Sequence, residues 1–444
     1  MNERQSVFAR FVNDYGMIFV LLFLCALFTV LTYEQTHPEG EIAGQQVGRA
    51  VLRKYGNDVV VLVVAEESTF VDAAAKVLEN AGAKIVALVV GGPPDGHRAL
   101  RAAQSTEQSV QAIACSDRAK QWFSIDHDER SGEVFGPKPY SASRFLGIQN
   151  LLNICSQVAI IAIIAIGMTM VIITGGIDLS VGSLIALSSV VAALLIRDQF
   201  GGYEATAAMM FVGSLAGILA CTLVGFTTGA LVTMVNIPPF IVTLSMMLIA
   251  RGLASIFTGG ISVPEIPSTY NWLGRGADLI NIPNSVVLML ALYVVAHILM
   301  TQTTLGRYIY AVGGNSEAAR LSGVPVKRVL LFVYTMSGLL AGLGGVVMAS
   351  MLNAGSAKYG DMYELYVIAA VVVGGTSLAG GEGKVFGTLI GALIIAVINN
   401  GMNLCKIQGF TQKVVLGVVI LAAICVDRFR QSGLLKRLLD RRKM

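Results

Sequence analysis

Long uncharged apolar runs recur along most of the chain, and they constrain the fold more than any other feature. An α-helix needs about 20 predominantly apolar residues to cross roughly 30 Å of hydrocarbon. We identify about ten such runs, at residues 16–32, 152–174, 180–196, 207–234, 240–258, 284–300, 329–352, 365–377, 385–403 and 412–426. Because 55% of the residues are hydrophobic and only 14% are charged, the sequence predicts an α-helical polytopic membrane protein in contact with membrane lipid.

The basic flanks of the apolar runs predict the orientation. Arg4 and Arg10 precede the first run, and a basic tail at 429–444 follows the last. Positively charged flanks stay in the cytoplasm, so both termini should be cytoplasmic. An even number of spans agrees, because it places both termini on the same side of the membrane. If 365–377 were a re-entrant loop, the tail would lie outside. No small-x-small cleavage pattern follows the first run, so we expect a retained anchor and not a signal peptide.

Residues 34–148 interrupt the membrane pattern with a higher density of charge. Three short apolar runs in this insert predict buried strands, at Val59–Ala65, Lys84–Val90 and Val110–Cys115. One intervening helix should bury the positions spaced i, i+3, i+4 and i+7, which are Val71, Ala74, Ala75 and Leu78, and Gly82 should end it. Alternating strands and helices predict a small three-stranded α/β insert between the first and second spans, outside the membrane.

No motif in the sequence predicts catalysis. "GGEGKVFG" resembles a phosphate-binding loop, but Leu378 stands where its first glycine is needed and Val385 follows Lys384 where a hydroxyl is needed. Cys115 has no spaced partner, and the other cysteines lie in or at apolar runs. Neighbouring residues of a strand or loop point in different directions, so the adjacent residues Asp126, His127 and Asp128 do not predict a metal site. We therefore expect no enzyme activity, cofactor or metal, and no nucleic-acid partner.

The polar segment at 305–329 lies between two apolar runs. Gly313 and Gly314 permit a sharp turn, Asn315 or Ser316 can cap a short helix, and Gly323 can end it. Glu317 lies in the first turn, where negative charge suits the helix dipole.

A helix of about two turns is unstable alone and needs a partner surface. Ala318 and Ala319 would let another protein approach closely, and Leu321 offers an apolar anchor. We expect a docking element in which an arginine at Ala319 would block the close approach of the partner. The alternative is a loop helix packed on its own bundle.

Three motifs resemble the permease subunits of bacterial simple-sugar ABC importers of the ribose, xylose, arabinose and galactose type. They are "ITGGIDLSVGS", "GRYIYAVGGNSEAARLSGVPVKRV" and "VVVGGTSLAGGEG", and the resemblance covers about 14–33 and 145–430. It implies a protein of the bacterial cytoplasmic membrane that works with a cytoplasmic ABC ATPase, a second permease subunit and an external sugar-binding protein, with ATP hydrolysed by the ATPase. It also implies a loop that docks on the ATPase through Gly314, Asn315, Glu317, Ala318, Ala319, Arg320 and Gly323.

The insert departs from this family, whose members have a short connection at that point. Part of it weakly resembles one lobe of the periplasmic sugar-binding proteins. A single lobe leaves a sugar half exposed, so we expect binding weaker than about 1 mM, and a docking or vestigial role.

Glycine pairs break the helices in two of the motifs. After Gly175 and Gly176, either Asp178 or Ser180 can cap the next helix, or Asp178 can contact the passing sugar. The spacing G-G-x-x-L-x-x-G occurs in both motifs, with glycines at Gly175, Gly176 and Gly182 in the first and at Gly374, Gly375 and Gly381 in the second. This spacing indicates either a distant internal repeat or chance.

Two other functions remain open. A secondary transporter or channel would need ionisable groups in its spans, where the main candidates are Asp178, Arg251 and His297. A membrane sensor would need a cytoplasmic signalling domain, and the tail is too short for one. The predicted organisation is a first span within 1–33, an insert at 34–148, a permease domain at 149–428 and a tail at 429–444. Which sugar passes is not encoded in any motif.

Overall fold

The chain forms two compact units. The computed structural model describes residues 2–105, 110–123, 132–279 and 281–431. Residues 33–144 form one unit, here called the α/β unit, and the segments on either side of it form the other, the helical unit. The first helix of the helical unit, α1 (Asn2–Leu31), comes before the α/β unit in the sequence.

The α/β unit contains a parallel sheet and a separate ribbon. Its elements in chain order are β1 (Tyr33–Thr36), α2 (Gly40–Tyr55), β2 (Val60–Ala65), α3 (Ser68–Asn80), β3 (Lys84–Val90), α4 (Pro93–Ser105), β4 (Ala112–Cys115), α5 (Asp117–Phe123), β5 (Glu133–Phe135) and β6 (Tyr140–Ser143). Four strands pair in parallel in the order β3-β2-β4-β5. The strands β1 and β6 pair antiparallel.

Apolar side chains cover both faces of the parallel sheet. On β2, Val61 and Val63 pack with α2 and α3, whereas Leu62 and Val64 pack with α4 and α5. Burial on both faces explains the continuous apolar run of this strand. The predicted face of α3 is buried, and Gly82, at φ +86°, lies just beyond the helix. The three predicted strands are present, but the prediction of a three-stranded unit is wrong, because β5 adds a fourth strand to the sheet and β1 and β6 form a second one. The polar ribbon and the three-residue β5 lacked an apolar pattern that could predict them.

The helical unit continues after the α/β unit. Its helices are α6 (Ile148–Ile173), α7 (Val181–Leu194), α8 (Ala207–Met234), α9 (Pro239–Thr258), α10 (Trp272–Arg275), α11 (Asn284–Gln302), α12 (Thr304–Gly314), α13 (Ser316–Leu321), α14 (Val326–Leu352), α15 (Tyr363–Val373), α16 (Val385–Leu404) and α17 (Gly409–Gln431). Every residue of α6 from Val158 to Ile173 is buried, so this part of the helix lies at the centre of the bundle.

Seven helices within the described residues are long and apolar enough to cross a membrane, where the sequence predicted about ten. They are α6, α7 with its extension to Gln199, α8, α9, α11, α14 and α16. Shorter apolar helices occur at Gly16–Leu31, Tyr363–Val373 and Gly409–Ala422. The α/β unit precedes all seven long helices. The α/β unit therefore lies between two spans only if the shorter helix Gly16–Leu31 also crosses the membrane.

The helices α8 and α14 pack backbone against backbone. A Cβ placed on Gly225 of α8 would lie 2.5 Å from the Tyr334 carbonyl oxygen and 3.0 Å from Gly338 Cα on α14. Glycine has no Cβ, so the two backbones can approach this closely, as small residues allow between membrane helices in general. This contact holds α14 beside the centre of the bundle.

Candidate docking helix and helix breaks

Helix α13 begins and ends at defined residues. Asn315 Oδ1 accepts hydrogen bonds from the backbone N–H groups of Glu317 at 3.1 Å and Ala318 at 2.9 Å. Gly323 follows the helix at φ +84°, and Val324 N donates to the Ala319 carbonyl oxygen at 3.0 Å. The predicted short helix and its Gly323 stop are confirmed, and of the two candidate caps Asn315 is the one that caps the helix.

The glycine pair before α13 does not form the turn that the sequence predicted. Gly313 and Gly314 lie in the last turn of α12, and the chain changes direction at Asn315. The two glycines also differ from each other. Nothing lies within 4 Å of a Cβ placed on Gly314, whereas one on Gly313 would overlap neighbouring backbone.

The two alanines of α13 face opposite ways. Ala319 is only 6% exposed and belongs to the apolar core of the helical unit, so it packs on its own bundle. Ala318 is exposed, and Leu321 is 74% exposed. The expectation that Ala319 faces a partner is therefore wrong. An arginine there would first disturb the packing of α13.

A charged pair lies on the outer surface of α13. Arg320 donates to Glu317 over one helical turn. This hydrogen bond lowers the pKa of the Glu317 carboxyl and raises the pKa of the Arg320 guanidinium. Because both side chains are well exposed, the pair adds little stability. The charges of this pair and the exposed side chain of Leu321 are available to contact a partner protein.

The first helix break follows α6. Gly175 N donates to the Ile172 carbonyl oxygen and Gly176 N to that of Val171, which is the Schellman pattern, and Gly175 has φ +79°. Asp178 accepts from Ser180 N at 3.0 Å and Ser180 Oγ at 2.6 Å.

Asp178 also reaches across the bundle. Its second oxygen accepts from Ser337 Oγ of α14 at 2.7 Å. The residue is 1% exposed, and each of its carboxylate oxygens is hydrogen bonded. The side chain of Ser180, at the start of α7, makes no cap bond. These contacts favour a structural role for Asp178 over contact with sugar.

The second break, after α15, has the same backbone pattern. Gly375, at φ +89°, donates to the Val372 carbonyl oxygen, and Thr376 N donates to that of Val371. Gly375 is therefore equivalent to Gly175. The shared spacing G-G-x-x-L-x-x-G instead pairs Gly175 with Gly374. This pairing is one residue away from the one that the backbone hydrogen bonds define, so the spacing does not align equivalent backbone positions.

Two further glycines of the motifs allow close contacts. A Cβ on Gly182 would lie 2.6 Å from the Gly360 carbonyl oxygen, and one on Gly374 would lie 2.7 Å from Thr388 Cα. Gly381 N donates to the Ile173 carbonyl oxygen at 2.9 Å, which links the two breaks directly.

Residues 150–424 match a family described as the permease component of branched-chain amino acid transport systems. The chain is 43% identical over 291 residues to the ribose import permease protein RbsC of Escherichia coli (strain K12), covering 65% of this chain and 88% of that protein. It is also 43% identical over 290 residues to RbsC of Bacillus subtilis (strain 168), which covers 65% and 87%. The chain belongs to the permease subunits of ABC sugar importers.

A third relative of this permease is the D-allose transport system permease protein AlsC of Escherichia coli (strain K12). The two are 38% identical over 296 residues, which covers 66% of this chain and 87% of that protein. No solved structure is significantly similar to the chain. The match to the family begins at residue 150, so the α/β unit lies outside it.

Arg251 of the permease holds a segment of broken helix in place. Its guanidinium donates to the carbonyl oxygens of Ala357 at 2.6 Å and Tyr359 at 2.7 Å. Residues 353–362 run among the helices without helical hydrogen bonds of their own, so they need such donors. Glu364, which no sequence motif indicates, follows this segment, and its Oε2 is buried without a hydrogen-bond partner.

The remaining titratable candidates do not form a site. His297 packs on Phe386 with ring centroids 4.8 Å apart. Burial raises the pKa of the Cys115 thiol to about 12, so it stays protonated. Within the described residues, no three His, Cys, Asp or Glu side chains are grouped to hold a metal ion. Asp126, His127 and Asp128 lie outside the described residues.

The α/β unit has a cavity of about 550 Å³ at the carboxyl ends of β2 and β4. Much of its polar lining is already paired internally. Ser116 donates to Glu66 at 2.9 Å, and Arg144 lies 3.1 Å from Glu34. His37 likewise lies 3.3 Å from Asp117. The cavity is also lined by polar residues outside these three pairs, namely Gln35, Thr36, Glu39, Glu67, Arg118 and Tyr140.

Proposed function

We propose that this permease forms the membrane path of an ATP-driven importer for ribose or a closely related simple sugar. The observation that carries this proposal is the identity of 43% to two ribose permeases over most of their length. A cytoplasmic ATPase supplies the energy, a second permease subunit completes the path, and an external binding protein delivers the sugar. Copurification of the ATPase with the tagged permease tests this assembly, and its absence would contradict the proposal.

Helix α13 is the contact for the ATPase. A capped six-residue helix with an exposed apolar end and exposed charges suits docking on a folded partner. As the ATPases close and separate, the path opens alternately to each side of the membrane. A neutral sugar needs hydrogen-bond partners and no countercharge, so few ionisable groups are required along the path.

Coupling to an ion gradient has little support in the described helices. Asp178 and Arg251 are engaged in bonds that hold broken helices, and His297 packs on an aromatic ring. A proton relay needs ionisable groups that face one another or a water-filled cavity. These contacts favour an ATP-driven importer over a secondary transporter.

The three shorter apolar helices complete an arrangement of ten spans in the bacterial cytoplasmic membrane. Helix α14 is about 40 Å long, and it starts beside α13. The segment 353–362 and α15 then return to α12, where Tyr310 hydrogen bonds with Gly383. This out-and-back path supports α15 as part of a span. With Gly16–Leu31 counted as the first span, the number of spans is even, and both termini lie in the cytoplasm.

A cysteine at Ser316 should therefore react with a membrane-impermeant thiol reagent only from the cytoplasmic side. Labelling in intact cells and in inverted vesicles measures the side directly. Reaction from outside intact cells would contradict the orientation. The same result is expected at Ser432, which lies outside the described residues.

The α/β unit lies outside the membrane in this arrangement and serves docking or is vestigial. We expect residues 33–144 alone to bind pentoses and hexoses more weakly than about 1 mM, or roughly 4 kcal/mol of binding free energy, because a single lobe leaves a sugar half exposed. Three pairs of polar side chains in its cavity also bond to each other. Two apolar cores on opposite sheet faces allow the unit to be studied alone. Calorimetric titration measures the affinity, and micromolar binding would make the chain a fused receptor and permease.

A further inference from the structure

The end of α12 rests on the link between the two helix breaks. The Ile173 carbonyl oxygen, at the end of α6, accepts the hydrogen bond of Gly381 N from the second break. A Cβ on Gly313 would overlap that oxygen and lie 2.6 Å from Gly381 N. We call these three residues the glycine junction. Only a glycine at 313 lets the three backbones meet.

A side chain of α12 makes a second contact with the same break. Tyr310 Oη donates to the Gly383 carbonyl oxygen at 2.8 Å. Gly381 has φ +77°, a conformation that other residues rarely adopt. The loop between α15 and α16 is therefore held to α12 at two points, one turn apart on the helix.

The other side of α13 is tied to the first break. Only four residues separate α13 from α14, which carries Ser337. Ser337 donates to Asp178 at 2.7 Å, and Asp178 fixes the turn before α7 through Ser180. The helices on either side of α13 in the chain thus each hydrogen bond to one helix break, α12 to the second break and α14 to the first.

We propose that the glycine junction transmits movement of α13 to both helix breaks together, which makes Gly313 and Tyr310 positioning residues for alternating access. The proposal rests on the function proposed above, in which α13 docks on the ATPase. Backbone-to-backbone contacts cannot compress, so α12 cannot shift without moving the ends of α6 and α15 or breaking the Ile173–Gly381 bond. Small shifts at such contacts become larger rearrangements when packed elements have two discrete arrangements.

The test compares a closely packed glycine with one beside open space, in the purified complex of permease and ATPase reconstituted in vesicles with the binding protein. Gly313→Ala complexes that assemble should still hydrolyse ATP but should transport roughly tenfold less sugar per ATP hydrolysed. Gly252→Ala on α9, whose Cβ meets open space, should match the wild type. This ratio reports coupling, which a change in the amount of folded protein would not alter.

A second pair keeps the test decisive if Gly313→Ala does not assemble. Tyr310→Phe removes one hydroxyl and should lower the same ratio about threefold, whereas Tyr308→Phe, on an exposed part of α12, should not. A normal ratio in Tyr310→Phe or in assembled Gly313→Ala would overturn the proposal, as would equal losses in the two controls. A wild type that transports without ATP would instead contradict the function itself.

Discussion

Replacing Gly225 with leucine should remove the folded permease from the membrane. The new Cβ would lie 2.5 Å from the Tyr334 carbonyl oxygen and 3.0 Å from Gly338 Cα. Because these atoms belong to the backbone of α14, no rotamer change can relieve the overlap, and α8 must separate from α14. We expect a cost of about 3 kcal/mol or more, at the upper end of overpacking effects.

Gly252→Leu on α9 is the matched control, since nothing lies within 4 Å of a Cβ at that position. Size-exclusion chromatography of fluorescent fusions in mild detergent measures the yield of folded protein. The yield should collapse for Gly225→Leu and stay near the wild-type value for Gly252→Leu. Equal yields of the two variants would show that α8 and α14 do not pack this closely.

Ala318→Arg should release the ATPase from an otherwise intact permease. The side chain of Ala318 is exposed on α13 beside the cap, so an arginine there would project into the docked partner without disturbing the bundle. We expect ATPase binding to weaken at least tenfold, or about 1.4 kcal/mol, with sugar uptake falling accordingly. Ala311→Arg is the control, because Ala311 is an exposed alanine on α12, one helix earlier.

Copurification of the ATPase with each tagged variant gives the measurement. Folded yield should be normal for both Ala318→Arg and Ala311→Arg, and ATPase recovery should fall only in the first. Full recovery with Ala318→Arg would show that α13 does not dock on the ATPase. Ala319→Arg is a poor test, because Ala319 is buried and its variant would lose packing first.

Local features of the fold were predictable wherever neighbouring residues determine them. Asn315 caps α13 and Gly323 ends it through contacts within a few residues. The strands β2 and β3 were also predictable, since runs of branched apolar residues favour a buried sheet. The three-residue β5 was not, because its pairing with β4 is tertiary.

Long-range partners could not be predicted from the sequence. Ser337, which bonds with Asp178, is 159 positions away in the chain. The inward orientation of Ala319 depends on how α13 packs on the bundle, and two adjacent alanines give no signal of it. Gly313 was predicted to be a turn residue, and only the positions of Ile173 and Gly381 show that close approach requires it.

The central claim is most directly tested by uptake of labelled ribose into vesicles containing the permease and its ATPase, with the binding protein supplied outside the vesicles together with the ribose. We predict accumulation that requires ATP on the ATPase side and stops when a nonhydrolysable analogue replaces it. Accumulation driven by an imposed proton or sodium gradient in the absence of ATP would contradict the account.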